Sequence, residues 1–321
     1  MTILLTGATG FVIASLARHL AALGEDVIAA DLVGPDAALR AYLAPHPGRV
    51  TFREVDVTDA GAVERLMADT RPARLVHGAA ITAIPEDVER ERFLRTTAVN
   101  VGGTLTVLEA ARRARVGRVV IVSSGSIYGA RPDLAPITED DPARPERLYP
   151  LTKWAAEALG RRYGEAHGLD LAVVRLASPF GPFERDTGSR PLLSPIEEWS
   201  AAALRGETLR VTGSSTLPRD SVYVDDVASG IAAVARAERL PHAVYNVGWG
   251  RAASARDVAA ALGRLVPGLR VEYRPDDPSP WSVSAPRGPL SVERLRSDLG
   301  WAPRYDLDSG LAAYLDWLRR A

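Results

Sequence analysis

Short apolar runs alternate with amphipathic stretches along the first half of the chain. The apolar runs at residues 3–5, 27–30, 50–55, 74–77, 118–122 and 170–176 have the length and composition of buried strands. Apolar positions at helical spacing lie between them, at residues 11–23, 60–69, 101–114 and 151–167. Strands that alternate with helices in this way predict βαβ units and a parallel sheet.

The regular alternation of predicted strands and helices ends at residue 176. Residues 177–219 are rich in Gly, Pro and Ser, with one helical stretch at 196–205, and residues 220–247 return to strand and helix. Residues 250–321 contain two helical stretches and a proline-dense loop at 274–289. We therefore expect an α/β fold: a doubly wound parallel sheet (Rossmann fold) over residues 1–176, rejoined by about 220–247, and a smaller C-terminal substrate-binding domain within 177–321.

Composition narrows the class of protein. The 321 residues are 46% hydrophobic and 25% charged, an ordinary globular balance, and the net charge of −1 argues against a nucleic-acid partner. The chain has no cysteine, so disulfides and thiolate metal sites are excluded, and its histidines show no metal-ligand spacing. No basic leader or membrane-length apolar stretch is visible. We expect a cytoplasmic protein without a metal or a membrane partner.

A glycine-rich turn follows the first predicted strand and opens the first helix. Gly7 and Gly10 let the backbone approach a pyrophosphate, which rests on the helix N-terminus. Asp31 ends the second strand, where a carboxylate accepts hydrogen bonds from an adenosine ribose and repels a 2′-phosphate. This pattern predicts NAD rather than NADP. Asp56 ends the third strand and either flanks the adenine or caps the next helix.

A second group of residues has side chains suited to acid/base catalysis. Tyr149 and Lys153 have the i, i+4 spacing of one helical face, and Ser124 follows the fifth strand. A neighbouring ammonium lowers the pKa of a phenol, which makes Tyr149 a candidate acid/base, while the serine hydroxyl binds the substrate oxygen. Lys153 is also the only lysine among 39 basic residues. Arginine serves everywhere else, so this position requires a compact ammonium.

These motifs together resemble the extended short-chain dehydrogenase/reductases, and within them the NAD-dependent epimerase/dehydratase group. The resemblance covers nearly the whole chain. It rests on Thr6-Gly7-Ala8-Thr9-Gly10, Asp31, Asp56-Val57, His77-Gly78-Ala79-Ala80, Asn100-Val101-Gly102-Gly103-Thr104, Ser124, Tyr149 with Lys153, Arg175 with Gly181-Pro182, Arg219-Asp220, Val224-Asp225-Asp226, and Leu299-Gly300-Trp301 with Pro303.

The resemblance implies roles for particular residues. The tyrosine of the family is the acid/base, the lysine orients it and the nicotinamide ribose, and the serine polarises the reacting oxygen, which places these roles on Tyr149, Lys153 and Ser124. Family members usually dimerise through two helices per subunit, here 103–114 and 151–167. The expected NAD site comprises Gly7, Thr9, Gly10, Phe11, Val12, Asp31, Asp56, Val57, Ala79, Ala80, Ile81, Asn100, Val122, Tyr149 and Lys153.

The chain also departs from the family pattern. Ile13 stands where a third glycine usually permits close helix–strand packing, so we expect an outward shift of the first helix or a close contact through Ala14. Gly125-Ser126 replaces the Asp-Glu pair of sugar 4,6-dehydratases, which argues against dehydration. Ser178 replaces an asparagine common in nucleotide-sugar enzymes. The expected substrate residues are Ser124, Ser126, Tyr149, Ser178, Arg185 and Arg219, with Arg274 as a further candidate.

Three functions remain open at this point. The leading hypothesis is an NAD-dependent sugar epimerase, acting on a nucleotide sugar through transient oxidation to a keto intermediate. The alternative is a net NAD-dependent dehydrogenase of a sugar, sugar acid or other secondary alcohol. A non-catalytic NAD-binding scaffold is disfavoured, because Tyr149 and Lys153 are both retained. Substrate specificity is expected to lie in the loops 178–195 and 274–289.

Overall fold

A seven-stranded parallel sheet forms the centre of the protein. The computed structural model describes residues 1–46, 48–82, 86–131, 133–213, 218–277 and 286–320. The strands in these ranges are β1 (Thr2–Thr6), β2 (Asp26–Asp31), β3 (Val50–Glu54), β4 (Arg74–His77), β5 (Arg118–Ser124), β6 (Leu171–Leu176), β7 (Ser178–Phe180), β8 (Leu209–Thr212), β9 (Ser221–Tyr223), β10 (Val244–Val247) and β11 (Val271–Arg274).

The strand order in the sheet is β10-β6-β5-β4-β1-β2-β3, and every neighbouring pair is parallel. The chain moves outward from β1 to β3, returns across β1 to β4, and then continues in the opposite direction. This reversal creates a crevice beyond the carboxyl ends of β1 and β4, which is where open α/β sheets bind ligands. The predicted doubly wound sheet is confirmed.

Helices cover both faces of the sheet. The α-helices of the described ranges are α1 (Phe11–Ala22), α2 (Ala37–Leu43), α3 (Ala60–Thr70), α4 (Glu86–Thr97), α5 (Thr104–Arg113), α6 (Leu148–His167), α7 (Pro195–Leu204), α8 (Val224–Arg236), α9 (Ala255–Leu265), α10 (Glu293–Leu299) and α11 (Leu307–Leu318). None of these described helices combines the length and the apolar character that a bilayer crossing requires.

Successive side chains of β1 point to opposite faces of the sheet and belong to two different hydrophobic cores. Ile3 and Leu5 face the side covered by α1 and α8, whereas Leu4 faces the side covered by α3 and α5. All three side chains are fully buried, as expected for a strand enclosed on both faces. The apolar runs that predicted these strands therefore follow from burial on both sides of the sheet.

The later part of the chain builds a third core beside the sheet. The short strands β7 and β9 pair with each other, and β8 pairs with β11. Helices α7, α9 and α11 enclose Phe180, Trp199 and Tyr314 between them. Residues 220–247 contribute β9 to this region, but their last strand, β10, pairs with β6 at the edge of the main sheet.

Several elements differ from the sequence-based expectation. The helix expected at 101–114 is a π-helical turn (Ala98–Gly103) that continues into α5, and α4 precedes it without having been predicted. Helix α6 begins at Leu148 rather than at residue 151, so Tyr149 lies within its first turn. The described part of residues 250–321 forms three helices instead of two.

Ile13 is accommodated by a glycine on the neighbouring strand end. A Cβ atom on Gly78 would lie 2.3 Å from Cδ1 of Ile13, and Ile13 itself is buried. The side chain of Ile13 thus packs over Gly78, just after β4, where there is no side chain to oppose it. The expected close contact through Ala14 is compatible with the full burial of this residue, and the expected outward shift of α1 stays a prediction.

We predict that Gly78→Ala destabilises the protein by about 1–3 kcal/mol because the added methyl overlaps Ile13. In an Ile13→Ala background, the same substitution should cost much less, since the overlapping atoms are gone. Urea unfolding of the four proteins in a double-mutant cycle measures this coupling. Equal costs of Gly78→Ala in both backgrounds would contradict the packing described.

Candidate active site

A continuous cavity of about 570 Å³ follows the crevice beyond β1 and β4 and extends to the third core. Most of the residues that the sequence analysis singled out line it: Gly7, Thr9, Gly10, Phe11, Val12, Asp31, Asp56, Val57, Ala79, Ala80, Ile81, Val122, Ser124, Tyr149, Lys153, Ser178 and Arg219. Asn100, Ser126 and Arg185 do not line it, although the first two contact residues that do.

The glycine turn leaves room for a ligand at the start of α1. Gly7 has φ +78°, and a Cβ there would lie 2.7 Å from the backbone nitrogen of Ala79. Gly10 is the residue before the helix and has no side chain with which to cap the first N–H groups. A helix N-terminus with uncapped N–H groups beside a glycine cradle fits the pyrophosphate of a dinucleotide.

Asp31 lies beside this cradle, at the end of β2. One of its oxygens accepts hydrogen bonds from the backbone nitrogen (2.8 Å) and hydroxyl (2.7 Å) of Thr9, and the other accepts from the nitrogen of Leu32 at 2.7 Å. The carboxylate is therefore fixed at the end of β2 beside the glycine turn. This placement fits the ribose hydroxyls of NAD and disfavours a 2′-phosphate.

Asp56 lines the cavity and does not cap a helix. Its Oδ1 accepts hydrogen bonds from the nitrogen and hydroxyl of Thr58, and Arg95 reaches its Oδ2 at 3.2 Å. The cap of α3 is Asp59, whose side chain accepts from the nitrogen of Ala62. Of the two alternatives for Asp56, the structure supports the position beside the cavity.

Asn100 holds the cavity wall rather than lining it. Its side-chain oxygen accepts from the nitrogen of Ile81 at 2.8 Å, and its amide donates to the Ile81 carbonyl and to the hydroxyl of Thr152. The π-helical turn that carries Asn100 aims the side chain at this loop, a use of π-helical geometry often found at functional sites. Asn100 thus joins the wall after β4 to the helix that bears Tyr149.

Tyr149, Lys153 and Ser124 all line the cavity, and the side chains of Tyr149 and Ser124 share a hydrogen bond. Burial raises the pKa of Tyr149, and Ser124, Arg190 and Arg287 oppose this rise. The pattern of Tyr149 and Lys153 predicted a phenol pKa lowered by the ammonium, but in the structure burial outweighs the neighbouring charges. Burial also lowers the pKa of Lys153 to about 8, with the carboxylate of Glu157, one turn along α6, opposing it.

Ser126 orients the hydroxyl of Ser124. The backbone nitrogen and the hydroxyl of Ser126 both donate to Oγ of Ser124, at 3.2 and 2.9 Å. An oxygen that accepts two such bonds directs its own proton elsewhere, here toward the cavity and Tyr149. Ser126 itself does not line the cavity, and in the structure it holds the hydroxyl of Ser124.

Two arginines expected at the substrate lie elsewhere. Arg185 pairs with Asp36 and stacks on the ring of Phe183, with 4.2 Å between the guanidinium carbon and the ring centroid. Arg274 is exposed at the end of β11 and pairs with Glu272. Neither lines the cavity. Each is held by an acidic partner that the sequence analysis did not identify.

The arginines that line the cavity include the expected Arg219, and Arg190 and Arg287, which sequence reasoning missed. Arg190 pairs with buried Glu184 at 2.6 Å. Burial lowers the pKa of Arg219 to about 10, and the neighbouring charge of Arg287 adds to this effect. Arg287 belongs to the proline-dense loop expected to govern specificity, of which residues 278–285 lie outside the described residues.

His77 has a structural role at the end of β4. It is fully buried between the hydroxyls of Thr6 and Thr104, 2.7 and 3.0 Å from its two ring nitrogens. Burial, together with the charge of Lys153, lowers its pKa to about 3, so the ring is neutral. Within the described ranges, no group of three or more His, Cys, Asp or Glu side chains is placed to hold a metal ion.

Comparison with known proteins identifies related chains. The model of the "NAD dependent epimerase/dehydratase family" matches residues 3–248. The chain is 32% identical to UDP-glucose 4-epimerase of Mycolicibacterium smegmatis over 99% of both proteins. It is also 30% identical to dTDP-glucose 4,6-dehydratase of Streptomyces antibioticus, over 99% of this chain and 92% of the relative.

Solved structures give the same result. The UDP-glucose 4-epimerase of Thermotoga maritima, crystallised with UDP-glucose, superposes with a TM-score of 0.86 at 25% identity and covers 100% of this chain and 99% of its own. The UDP-glucose 4-epimerase of Thermus thermophilus, in complex with NAD, superposes with a TM-score of 0.84 at 28% identity, and the match covers 100% of both chains.

The burial of Lys153 predicts a pH-dependent stability. The unfolded chain, with a lysine pKa near the ordinary value of 10.5, binds more protons than the folded chain between pH 8 and 10.5. The contribution of Lys153 to the free energy of unfolding therefore rises with pH across that window. Below about pH 8, the full free-energy cost of burying its charge is present. Lys153→Met should remove this penalty and stabilise the protein at pH 7 by at most about 3 kcal/mol.

Urea unfolding at pH 7 and pH 10 measures the difference in stability between Lys153→Met and the wild type. This difference should be smaller at the higher pH. Arg161→Met, at an exposed position of the same helix, is the matched control and should show no such trend. A Lys153→Met protein whose advantage over wild type is the same at both pH values would contradict the interpretation.

Proposed function

Because the chain belongs to the NAD-dependent epimerase/dehydratase family, we propose that it is an NAD-dependent epimerase that inverts a carbinol centre of a nucleotide-linked sugar. The observation that carries this proposal is the continuity of the cavity. Its lining includes the glycine cradle and Asp31 at the ends of β1 and β2, the group of Tyr149, Lys153 and Ser124, and the arginines Arg219 and Arg287.

Tyr149, Ser124 and Lys153 each have a separate role in the proposed reaction. Bound NAD supplies the reversible oxidation of the carbinol. Tyr149 removes the proton from the sugar hydroxyl at its phenolic oxygen and later returns it. Ser124, oriented by Ser126, donates a hydrogen bond to the same sugar oxygen. Because burial raises the pKa of Tyr149, its phenolate would depend on the positive charges that Lys153 and the bound cofactor bring to the site. The ammonium of Lys153 would also hold the ribose hydroxyls of the cofactor.

The charges beyond Tyr149 support a diphosphate-linked substrate. Arg219 and Arg287 line the cavity on this side, and the carboxylates among its described lining residues, Asp31 and Asp56, lie at the adenosine end. Guanidinium groups in a partly dehydrated cavity bind phosphate oxygens strongly. We therefore assign the diphosphate of the substrate to Arg219 and Arg287.

The same charge distribution argues against dehydration. Elimination of water from the sugar requires acids near Tyr149, and the position after Ser124 is Gly125, which packs against Leu290 and the backbone of Leu176. Ser126, the next residue, is occupied with Ser124. Among the described residues, no carboxylate lines the cavity beside Tyr149. Epimerisation needs the tyrosine, the lysine, the serine and the cofactor, but no further carboxylate.

We predict that the purified enzyme, given UDP-glucose as a probe, forms the C4 epimer without accumulating NADH. Tyr149→Phe should lower kcat by about 10²–10⁴-fold, because the proton of the sugar hydroxyl then has no acceptor. Chromatography of the sugar products and NADH absorbance measure the two quantities. NADH released in proportion to substrate would instead establish the alternative, a net dehydrogenase. A Tyr149→Phe enzyme with full activity would contradict the role of this residue.

We further propose a homodimer formed through α5 and α6. Leu151 and Leu159 are about half exposed on α6 and lie on one face of the helix with Ala155. The neighbouring helix α4 adds Phe93 and Leu94, with Leu94 83% exposed. Large apolar side chains grouped on one surface indicate a contact with another chain.

A cytoplasmic location stays a prediction from composition.

Leu159→Arg should convert the dimer to a monomer, since it places a charge in the apolar contact. Light scattering during gel filtration measures the mass of each form. Leu23→Arg, at an exposed leucine that follows α1, is the control and should leave the mass unchanged. A wild-type protein that is monomeric at micromolar concentration would refute the proposal.

A further inference from the structure

Asp220 is a buried carboxylate that ties three chain segments together. Its Oδ1 accepts a hydrogen bond from the backbone nitrogen of Trp249 at 2.8 Å. Its Oδ2 accepts from the nitrogens of Gly250 at 3.2 Å and Leu290 at 3.0 Å. The three segments are far apart in sequence, and the side chain does not line the cavity.

The neighbouring chain leaves space for this carboxylate. Gly248 lies against it, and a Cβ atom at that position would be 2.6 Å from Oδ2 of Asp220 and 3.0 Å from Cβ of Ala177. Burial raises the pKa of Asp220 to about 6, while the three backbone N–H groups and the charge of Arg287 oppose that rise. The carboxylate therefore occupies a built site with donors on each side.

Each segment that Asp220 joins leads to a group at the substrate end of the cavity. Arg219 precedes it directly in the chain, and the backbone of Arg219 pairs in both directions with Ala253, at 3.0 and 2.9 Å. Leu290 lies three residues after Arg287. The 249–250 turn leads to Ala253, which itself lines the cavity. One carboxylate thus connects the backbones that carry both arginines.

We propose that Asp220 is a positioning residue that holds Arg219 and Arg287 at the spacing required by the substrate's diphosphate. The proposal rests on the proposed function, because it concerns the same substrate. Asp220 contacts neither the substrate nor the cofactor site. Its removal should weaken substrate binding, while the groups around Tyr149 keep their chemistry.

The test is Asp220→Asn, which keeps the size of the side chain but sets an NH₂ group against backbone N–H donors. The KM for UDP-glucose and the Kd for UDP should rise about tenfold, the effect of losing one well-placed hydrogen bond, with kcat little changed. The amount of NAD bound by the purified enzyme should stay the same, since the cofactor end of the cavity is untouched.

The matched control is Asp226→Asn. Asp226 is likewise buried and accepts backbone hydrogen bonds from Arg304 and Tyr305, at 3.0 and 2.9 Å, but it does not line the cavity. This variant should lose stability without a change in KM. Similar KM values for Asp220→Asn and Asp226→Asn, whether raised or not, would overturn the proposal.

Gly248→Ala approaches the same carboxylate from the other side and serves if Asp220→Asn does not fold. Its added methyl should displace Oδ2 and reproduce the rise in KM with little change in kcat. A Gly248→Ala enzyme with the KM of the wild type would overturn the proposal. A wild-type enzyme that neither binds UDP nor converts UDP-glucose would instead contradict the proposed function, so the two failures are distinguishable.

Discussion

The close approach of two backbones at the reversal of the sheet determines how the rest of the site is arranged. Gly7 after β1 and Gly78 after β4 both lie where a Cβ atom would overlap a neighbour, the first with the backbone of Ala79 and the second with Ile13. Because neither position has a side chain, the start of α1 lies directly above the crevice. The cofactor cradle and the cavity that continues from it depend on this approach.

The sheet and the middle of the site could be predicted from the sequence because their signals are local. Apolar runs give strands, a glycine turn between strand and helix gives a dinucleotide site, and Tyr149 with Lys153 requires only one helical turn. Helix α4 was missed because its sequence lacks an apolar stripe: Thr96 is its one buried residue. It is stabilised by its neighbours rather than by its own pattern.

The substrate end was harder to predict because long-range contacts decide it. Arg185 follows a Gly-Pro turn that suggested a place at the substrate, yet its partner is Asp36, in a distant part of the chain. Arg287 reaches the cavity because the backbone of its loop is held elsewhere: Leu290 bridges to Ile137, and Gly288 packs against the carbonyl of Ala135. No local pattern distinguishes such an arginine from the other 37.

The single lysine also has a consequence for the chemical reactivity of the molecule. Lys153 is 3% exposed, inside the cavity, while the rest of the basic side chains are guanidinium groups or imidazoles. Reagents that acylate or alkylate side-chain amines therefore find no target on the outer surface. A small amine-directed reagent that enters the cavity would label one side chain, and any molecule that fills the cavity would shield it. The protein thus contains one side-chain amine that reports occupancy of the cavity, distinct from the α-amino group of Met1.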